Sequence, residues 1–160
     1  MSNKFSHLDK QGNPSMVDVG EKKITKRTAT ARSIVILTDE ITAQLKNDDI
    51  QTKKGPVFQT AIIAGVMASK KTSELIPLCH PIGLDNCQVD IKMGEENEVI
   101  IHCTASITSK TGVEMEALTG ASVAALTIYD MCKAMSHNII IKETRLISKT
   151  GGKKDFFHEE

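Results

Sequence analysis

Asp130 and Lys133 are the only charged residues in a long helical run in the second half of the chain. The run 117–135 reads ALTGASVAALTIYDMCKAM. Residues three apart are neighbours on one face of a helix, and a helix that is apolar on every side is buried on more than one face. We therefore expect a buried pair. It is either an ion pair that anchors the helix end or a proton-transfer pair whose pKa values are shifted by burial and by each other.

A basic loop, Lys53-Lys54-Gly55, precedes a second predicted helix that opens at Pro56. Gly55 permits close approach to the backbone, the first N–H groups of a helix are free, and the two lysines add positive charge. These properties suit a phosphate. A lysine pair in a loop is also often only solvated, so both interpretations stay open.

Leu78, Cys79 and His80 lie between two prolines in IPLCHPIGL. A residue that precedes proline is restricted to extended conformations, which fixes the backbone of His80. A cysteine and a histidine side by side, with no further ligand motif, make a poor zinc site. We therefore favour His80 as a positioned acid, base or hydrogen-bond donor over a metal ligand.

Acids and a lysine flank the ends of two other elements. Glu114-Met115-Glu116 opens the long helix, and Lys149 ends the last predicted strand before a flexible TGG. Alternate residues of a helix point about 200° apart, so we expect both carboxylates to face one pocket only if the junction is still extended. Otherwise one is a first-turn acid favoured by the helix dipole. Lys149 either reaches a site or is a solvated strand end.

The elements that must position these residues follow from hydrophobic periodicity. Alternation predicts strands, a spacing of three and four predicts helices, and proline argues against regular structure at 72–85. The predicted main elements are a strand at 24–37, a helix at 57–71, a hairpin with strands at 87–93 and 99–107, a helix from about 113 to 136 and a strand at 139–149. Minor features are a short strand at 16–20, a short helix from Thr38 or Asp39 to near Asn47, and a polar loop at 48–55.

This order, β-α-β-β-α-β, predicts an α+β fold of the ferredoxin-like kind, with an antiparallel sheet and two main helices on one face. We expect a single domain over 1–160, with a mobile N-terminal arm at 1–15 and a flexible C-terminal tail at 150–160. The fold hosts many functions, so the order of elements does not identify an activity.

Composition excludes several classes of protein. The chain has 160 residues with 20 Lys and Arg against 20 Asp and Glu, so its formal net charge is zero. Proteins whose whole surface serves nucleic acid are usually basic, so we expect no nucleic-acid partner. We see no apolar leader and no stretch approaching the ~20 apolar residues that span a bilayer. We therefore expect a soluble, cytoplasmic protein without a membrane partner.

The core must be aliphatic, because only five residues are aromatic. Small side chains bury little area each, which makes further burial by self-association plausible. The four cysteines form no C-x-x-C motif, so reduced and mostly buried thiols are expected rather than bridges or a zinc site. They are Cys79, Cys87, Cys103 and Cys132.

Taken together, the motifs resemble those of one family. The strings are MVDVG (16–20), LIPLCHP (75–81), KTGVEMEALT (110–119) and GASVAALTIYDMCKA (120–134), where Gly120 replaces an alanine. They are similar to those of the cyclic pyranopterin monophosphate synthases of molybdenum cofactor biosynthesis, the MoaC family. The likeness covers roughly 14–157, nearly the whole chain.

The resemblance implies an activity and an assembly. The implied substrate is a small molecule, 3′,8-cyclo-7,8-dihydro-GTP, which is converted to cyclic pyranopterin monophosphate with release of pyrophosphate by a phosphorus–oxygen lyase. The implied assembly is a homohexamer, a trimer of dimers with active sites at subunit interfaces. No resident metal or cofactor is implied, and whether Mg²⁺ accompanies the substrate phosphates stays open.

The resemblance also implies residue roles. Asp130 and Lys133 match the catalytic positions, and we favour them as the central acid–base pair. The substrate-binding positions match Leu78, Cys79, His80, Glu114, Met115, Glu116, Lys54, Arg27 and Lys149. Of these, Lys54, Arg27 and Lys149 can supply the cations that a triphosphate needs.

Two other functions compete with this lyase. The first is a non-catalytic ferredoxin-like module that binds a small anionic effector. A buried Asp130/Lys133 pair argues against it, because a binding module gains little from proton-transfer groups in an apolar helix. The second, a metal-binding Cys/His protein, is weaker still.

Overall fold

The computed structural model describes residues 5–159. Its elements in chain order are β1 Thr25–Ile36, α1 Asp39–Thr42, β2 Leu45–Lys46, β3 Asp49–Thr52, β4 Gly55–Pro56, α2 Val57–Ser69, α3 Thr72–Leu75, β5 Asn86–Met93, β6 Glu98–Ser109, α4 Glu114–Cys132, β7 Ile140–Thr150 and β8 Phe156–Phe157.

The main sheet is antiparallel, with strand order β5-β6-β1-β7-β8. Strands β1 and β5 run parallel to each other because β6 lies between them and is antiparallel to both. The four long strands and helices α2 and α4 thus form the split βαβ arrangement, which confirms the ferredoxin-like α+β fold predicted from the sequence. A small sheet, β2-β3-β4, lies between β1 and α2 along the chain.

Helix α4 packs on β1, β6 and β7, and α2 packs on α4 and β5. Alternate residues of a strand share one face, and in the two central strands that face is buried. The buried alternating positions are Ala29, Ala31, Ser33 and Val35 in β1 and Val99, Ile101, Cys103, Ala105 and Ile107 in β6. Small residues predominate in β1, which lets α4 lie close to the sheet.

Two glycines permit the close contact between α2 and α4. A Cβ atom added at Gly65 would lie 2.9 Å from the carbonyl oxygen of Gly120. A Cβ atom at Gly120 would overlap Ser69 Oγ and lie 2.5 Å from Cys103 Sγ. The absence of a side chain at Gly120 therefore leaves the volume that Ser69 and Cys103 occupy, and this explains why a glycine is present at this position.

Five local predictions are wrong. Residues 16–20 form no strand, and the loop at 48–55 contains strands β3 and β4. The short helix ends at Thr42 because the chain then enters a tight turn in which Asn47 and Asp48 both have positive φ. Such two-residue turns are typical of β-hairpins. The long helix ends at Cys132 instead of near 136, and 72–85 includes the short helix α3.

The terminal segments carry local structure. Asp9 accepts backbone N–H bonds from Gln11 and Asn13, which closes a turn. In the C-terminal segment, β8 pairs with β7. Residues 1–4 and 160, which belong to the expected arm and tail, lie outside the described residues. None of the helices in the described part of the chain is long and apolar enough to span a membrane.

Candidate active site

The first of two clefts, the glutamate cleft, lies at the start of α4 and has a volume of about 630 Å³. Seven of the predicted binding residues line it: Leu78, Cys79, His80, Glu114, Met115, Glu116 and Lys149. They come from the segment before β5, the first turn of α4 and the end of β7. The volume suits a small-molecule ligand.

Both carboxylates of the α4 first turn line this cleft although the helix already begins at Glu114. The expectation that this requires an extended junction is wrong. Side chains of a helix lean toward its N-terminus, so in the first turn Glu114 and Glu116 can both reach a cleft that lies beyond the helix end. Gly112 makes room for Glu114, because a Cβ atom there would overlap a carboxylate oxygen of that residue.

The two glutamates have different environments. Glu114 forms an ion pair with Lys149 on the partly exposed side of the cleft, with 3.0 Å between Oε1 of the glutamate and Nζ of the lysine. Glu116 is 4% exposed, and its burial raises the pKa of its carboxyl above the ordinary value. A buried carboxyl with a raised pKa can hold or release a proton closer to neutral pH than a solvated one. Glu116 is therefore the proton-transfer candidate of this cleft.

In the Leu78-Cys79-His80 motif, the histidine is hydrogen-bonded to the backbone and the cysteine is a neutral thiol. His80 Nε2 lies 2.8 Å from the carbonyl oxygen of Val17, so the imidazole is a hydrogen-bond donor to the backbone. Burial raises the pKa of the Cys79 thiol, so it is kept in its neutral form at neutral pH. Among residues 5–159, no three His, Cys, Asp or Glu side chains gather around a point that could hold a metal ion.

The glutamate cleft also contains residues that the sequence did not single out. They are Ser6, His7, Asp18, Lys22 and Lys153. Four of them precede β1: Ser6 and His7 lie before the MVDVG string, Asp18 lies in it and Lys22 follows it. The string was the one signal that could have indicated them. It was interpreted only as a short strand and as a sign of family resemblance, and residues 1–15 were expected to be mobile.

The second cleft, the aspartate cleft, lies at the other end of α4 and has a volume of about 660 Å³. Asp130 there accepts hydrogen bonds from two ammonium groups, Lys133 Nζ at 2.6 Å and Lys54 Nζ at 3.0 Å. These hydrogen bonds, the one from Lys133 first, lower the pKa of Asp130 to about 2, and Asp130 in turn raises the pKa of Lys133. Asp130 and Lys133 are thus both charged at neutral pH.

The expected burial of Asp130 and Lys133 is wrong for the single chain. Their side chains are 51% and 48% exposed. The apolar residues of α4 cover the sheet and α2, but Asp130 lies in the last turn on the outer side of the helix, where solvent reaches it. Its pKa is therefore set by the two lysines and not by burial, and it moves down instead of up.

The local fold explains the position of Lys54. The β3–β4 hairpin turns through Lys53 and Lys54 into Gly55, whose φ of +110° is unfavourable for any other residue. Thr52 Oγ1 accepts the Lys54 N–H at 3.1 Å and donates to the Gly55 carbonyl at 3.0 Å. The lysine is thus fixed at the tip of a two-stranded ribbon.

The free helix N-terminus that was expected beside this loop is already occupied. Asp49 is buried, and its carboxylate accepts the N–H of Phe58 at 2.8 Å and the N–H of Gln59 at 3.2 Å. These are first-turn N–H groups of α2, so the interpretation of this helix start as a phosphate site is wrong. Lys53 and Lys54 remain available to bind an anion, but the N–H groups of Phe58 and Gln59 at the start of α2 do not.

Arg27 lines neither cleft. It lies on β1 beside the turn at Gly151-Gly152, where a Cβ atom on Gly152 would be 3.3 Å from its Nη1. Its Nε is buried and finds no hydrogen-bond partner among residues 5–159. Because Ala29, two residues on, is opposite Lys149, Arg27 belongs to the same end of the sheet as the glutamate cleft.

The two clefts are far apart in one chain. From Glu116 to Asp130 the chain advances fourteen residues along α4, which is about 21 Å at 1.5 Å per residue. A single subunit therefore brings the predicted site residues together as two groups and does not assemble them into one site.

An α+β ferredoxin-like chain whose clefts carry carboxylates and ammonium groups has the side chains that acid–base chemistry on a small molecule requires. A family model described as the MoaC family matches residues 16–152. This chain belongs to the MoaC family.

Curated relatives agree with that assignment. A cyclic pyranopterin monophosphate synthase of Xanthomonas oryzae pv. oryzae is 53% identical over 96% of this chain and 93% of its own. One of Staphylococcus epidermidis is 49% identical over 98% of both chains. Molybdenum cofactor biosynthesis protein 1 of Dictyostelium discoideum is 51% identical over 95% of this chain, which spans only 27% of that protein. The alternative of a non-catalytic effector-binding module finds no support among these names.

Proposed function

We propose that this chain is a cyclic pyranopterin monophosphate synthase. It acts as a lyase on 3′,8-cyclo-7,8-dihydro-GTP and releases cyclic pyranopterin monophosphate and pyrophosphate. The observation that carries the proposal is the Lys54–Asp130–Lys133 cluster, in which one carboxylate orients two ammonium groups at the edge of a cleft. The closure of a cyclic phosphate with loss of pyrophosphate develops negative charge that such groups stabilise.

The charges of the Lys54–Asp130–Lys133 cluster indicate a different role for the carboxylate than for the ammonium groups. Asp130 stays ionised far below neutral pH, so it fixes the lysines and does not itself deliver a proton. Lys133 carries the proton that the cluster can donate, and its closeness to Asp130 favours the charged form. Lys54 and Lys133 thus bind the phosphates and donate the proton, and Asp130 holds both lysines in place.

The glutamate cleft provides groups for the ring system of the substrate. Its lining residues, taken from the described part of the chain, include no Phe, Tyr or Trp. The rings derived from guanine are therefore bound by hydrogen bonds instead of stacking. The raised pKa of Glu116 suits the proton transfers that opening an imidazole ring and rebuilding a pterin require.

A complete site needs two chains. Residue 123 is midway between Glu116 and Asp130, so an antiparallel pairing of two α4 helices about Val123 brings the glutamate cleft of one chain to the aspartate cleft of the other. The outer surface of α2 and α4 suits such a contact because it is apolar: Ile63, Met67 and Leu126 are 61%, 52% and 57% exposed. Three such dimers make the homohexamer.

The direct test is turnover. The purified chain is incubated with the cyclised dihydro-GTP, and both pyrophosphate and a pterin that fluoresces on oxidation are measured. We expect both products in equal amounts. Well-folded protein that releases no pyrophosphate would contradict the proposed function.

The shared site has its own test. Asp130→Asn and Glu116→Gln disable opposite clefts, so each variant alone is inactive. In subunits refolded together at equal amounts, statistical pairing gives one intact site for every four sites, and about a quarter of wild-type activity returns. Activity that stays absent in refolded mixed dimers would mean that each site lies within one chain.

We place the enzyme in the cytoplasm, with no nucleic-acid or membrane partner and no resident cofactor. Mg²⁺ enters, if at all, with the substrate phosphates. Turnover that persists in EDTA with a changed KM would agree with that role, whereas complete and Mg²⁺-reversible loss of kcat would contradict it.

A further inference from the structure

One wall of the glutamate cleft is an irregular segment at the start of the described chain. We call residues 5–22 the N-terminal strap. It supplies Ser6, His7, Val17, Asp18, Val19 and Lys22 to the lining of the cleft. Beyond an isolated bridge between Leu8 and Pro14, it contains no helix or strand.

The strap is joined to the remainder of the described chain by two side-chain hydrogen bonds. His80 Nε2 lies 2.8 Å from the Val17 carbonyl oxygen, and Lys110 Nζ donates to the Gly20 carbonyl oxygen at 2.6 Å. Asp18 and Val19 lie between these two points. The strap is folded on itself there, because the Gly20 N–H donates to Asp18 Oδ1 at 2.8 Å and the Lys22 N–H to the Val19 carbonyl at 3.1 Å.

The chemistry of the first contact fixes the state of the imidazole. A carbonyl oxygen can only accept a hydrogen bond, so Nε2 of His80 must carry the hydrogen. That nitrogen is therefore engaged by the backbone, and Nδ1 is the only ring atom left to take up a proton. A proton shuttle through Nε2 would require the bond to Val17 to break.

We propose that His80 is a positioning residue, which holds the strap by its Nε2–H and so sets Asp18 and Lys22 in the wall of the glutamate cleft. This inference rests on the proposed function for its effect on turnover, but the contact itself can be tested without substrate. Lys110 is the second tether, and it lies outside the residues that line the cleft.

The weakness of the attachment makes the effect measurable. A typical hydrogen bond contributes a net 0.5–1.5 kcal/mol, so loss of one tether should raise the open fraction of the strap roughly two- to tenfold. Opening frees the turn at 18–22 from its tethers, so the hydrogen bonds that the N–H groups of Gly20 and Lys22 make within this turn break more often.

The first experiment measures hydrogen exchange of the strap in the substrate-free protein. His80→Phe keeps the ring volume and removes the donor, and His80→Gln keeps an N–H donor of similar reach. We expect roughly two- to tenfold faster exchange at Gly20 and Lys22 in the Phe variant and near wild-type exchange in the Gln variant. If the Phe variant does not fold, His80→Asn replaces it, because its shorter amide does not reach Val17. Unchanged exchange in a folded variant without the donor would overturn the proposal.

The second experiment compares kinetic constants. Lys110→Met is the matched control, since it frees the strap without altering a cleft residue, and it should raise KM while kcat is retained. His80→Phe should raise KM in the same way, and His80→Gln should restore it. An equal loss of kcat in the Phe and Gln variants, with a strap that exchanges as in wild type, would show that His80 acts on the substrate instead. If the wild-type chain shows no turnover, the proposed function fails and the exchange experiment still decides the role of His80.

Discussion

Asp130 lies 2.6 Å from the ammonium group of Lys133 and 3.0 Å from that of Lys54, although Lys54 is on a different element of the fold. The hairpin tip and the end of α4 thus share one carboxylate. Because both lysines stabilise its charged form, Asp130 is ionised at every pH at which the protein is expected to work.

Removal of either partner should abolish turnover. Asp130→Asn leaves the two ammonium groups without a common anchor, and Lys133→Ala removes the proton donor, so we expect at least a hundredfold loss of kcat in each variant. The groups are exposed, so stability and oligomer size should be unchanged by size-exclusion chromatography and thermal unfolding.

A control for this prediction is Lys142→Ala. Lys142 forms an equally short bond with Glu98, 2.6 Å, at a surface away from both clefts. The Lys142→Ala variant should convert substrate at the wild-type rate. Near wild-type product formation by Asp130→Asn or Lys133→Ala would show that the substituted residue is not needed for catalysis.

Glu116 should make the protein less stable as pH rises. Its pKa is raised in the folded state, so the folded chain binds the proton more tightly than the unfolded chain. The free energy of unfolding then decreases as pH rises through the range between two pKa values. The lower one is the pKa of the Glu116 carboxyl in the unfolded chain, and the upper one is its raised pKa in the folded chain. Glu116→Gln removes this loss. Its thermal midpoint should exceed that of wild type at pH 7.5, and the difference should shrink at pH 4.5.

Glu114→Gln is the comparison for that experiment, because Glu114 is paired with Lys149 on the more exposed side of the same cleft. It should not gain stability at neutral pH. An equal or lower midpoint for Glu116→Gln at pH 7.5 would contradict the burial of a charge at this position.

The fold was predictable because its signals are local. The alternation of Cys87, Val89 and Ile91 defines the edge strand that β5 forms, and the long apolar run defines α4. Short elements were missed where a turn determines them: Asn47 and Asp48 adopt positive φ, which periodicity does not show.

The motifs supply a set of candidate site residues but not their geometry. They single out Asp130 and Glu116, and helix α4 places these two residues about 21 Å apart. Exposure also depends on the whole fold. The sequence around Asp130 is apolar on every side, and only the packing of α4 on the sheet shows which side solvent reaches. In the same way, no pattern indicates that Asp49 fills the start of α2.

Gly120 should not tolerate replacement by alanine. A Cβ atom there overlaps Ser69 Oγ and approaches Cys103 Sγ to 2.5 Å. Overpacking of this kind costs about 1–3 kcal/mol. We therefore expect Gly120→Ala to lower the free energy of unfolding in urea by that amount. The double variant with Cys103→Ala should recover part of the loss, since it frees the volume that the methyl group needs. Purely additive effects of the two changes would show that the contact is not the cause.

Asp49 should matter for stability and for the aspartate cleft together. Its carboxylate accepts the N–H groups of Phe58 and Gln59, so it acts as the cap of α2 although it is far from the helix in sequence. Asp49→Ala removes both bonds and should cost about 0.5–2 kcal/mol, measured by urea unfolding. Because Asp49 also begins β3, which leads to Lys54, the variant should lose turnover as well. Asp49→Asn retains one acceptor oxygen and should keep more of both properties. Wild-type stability in Asp49→Ala would mean that water replaces the cap without cost, and normal turnover in a destabilised variant would mean that Lys54 is positioned by the hairpin turn alone.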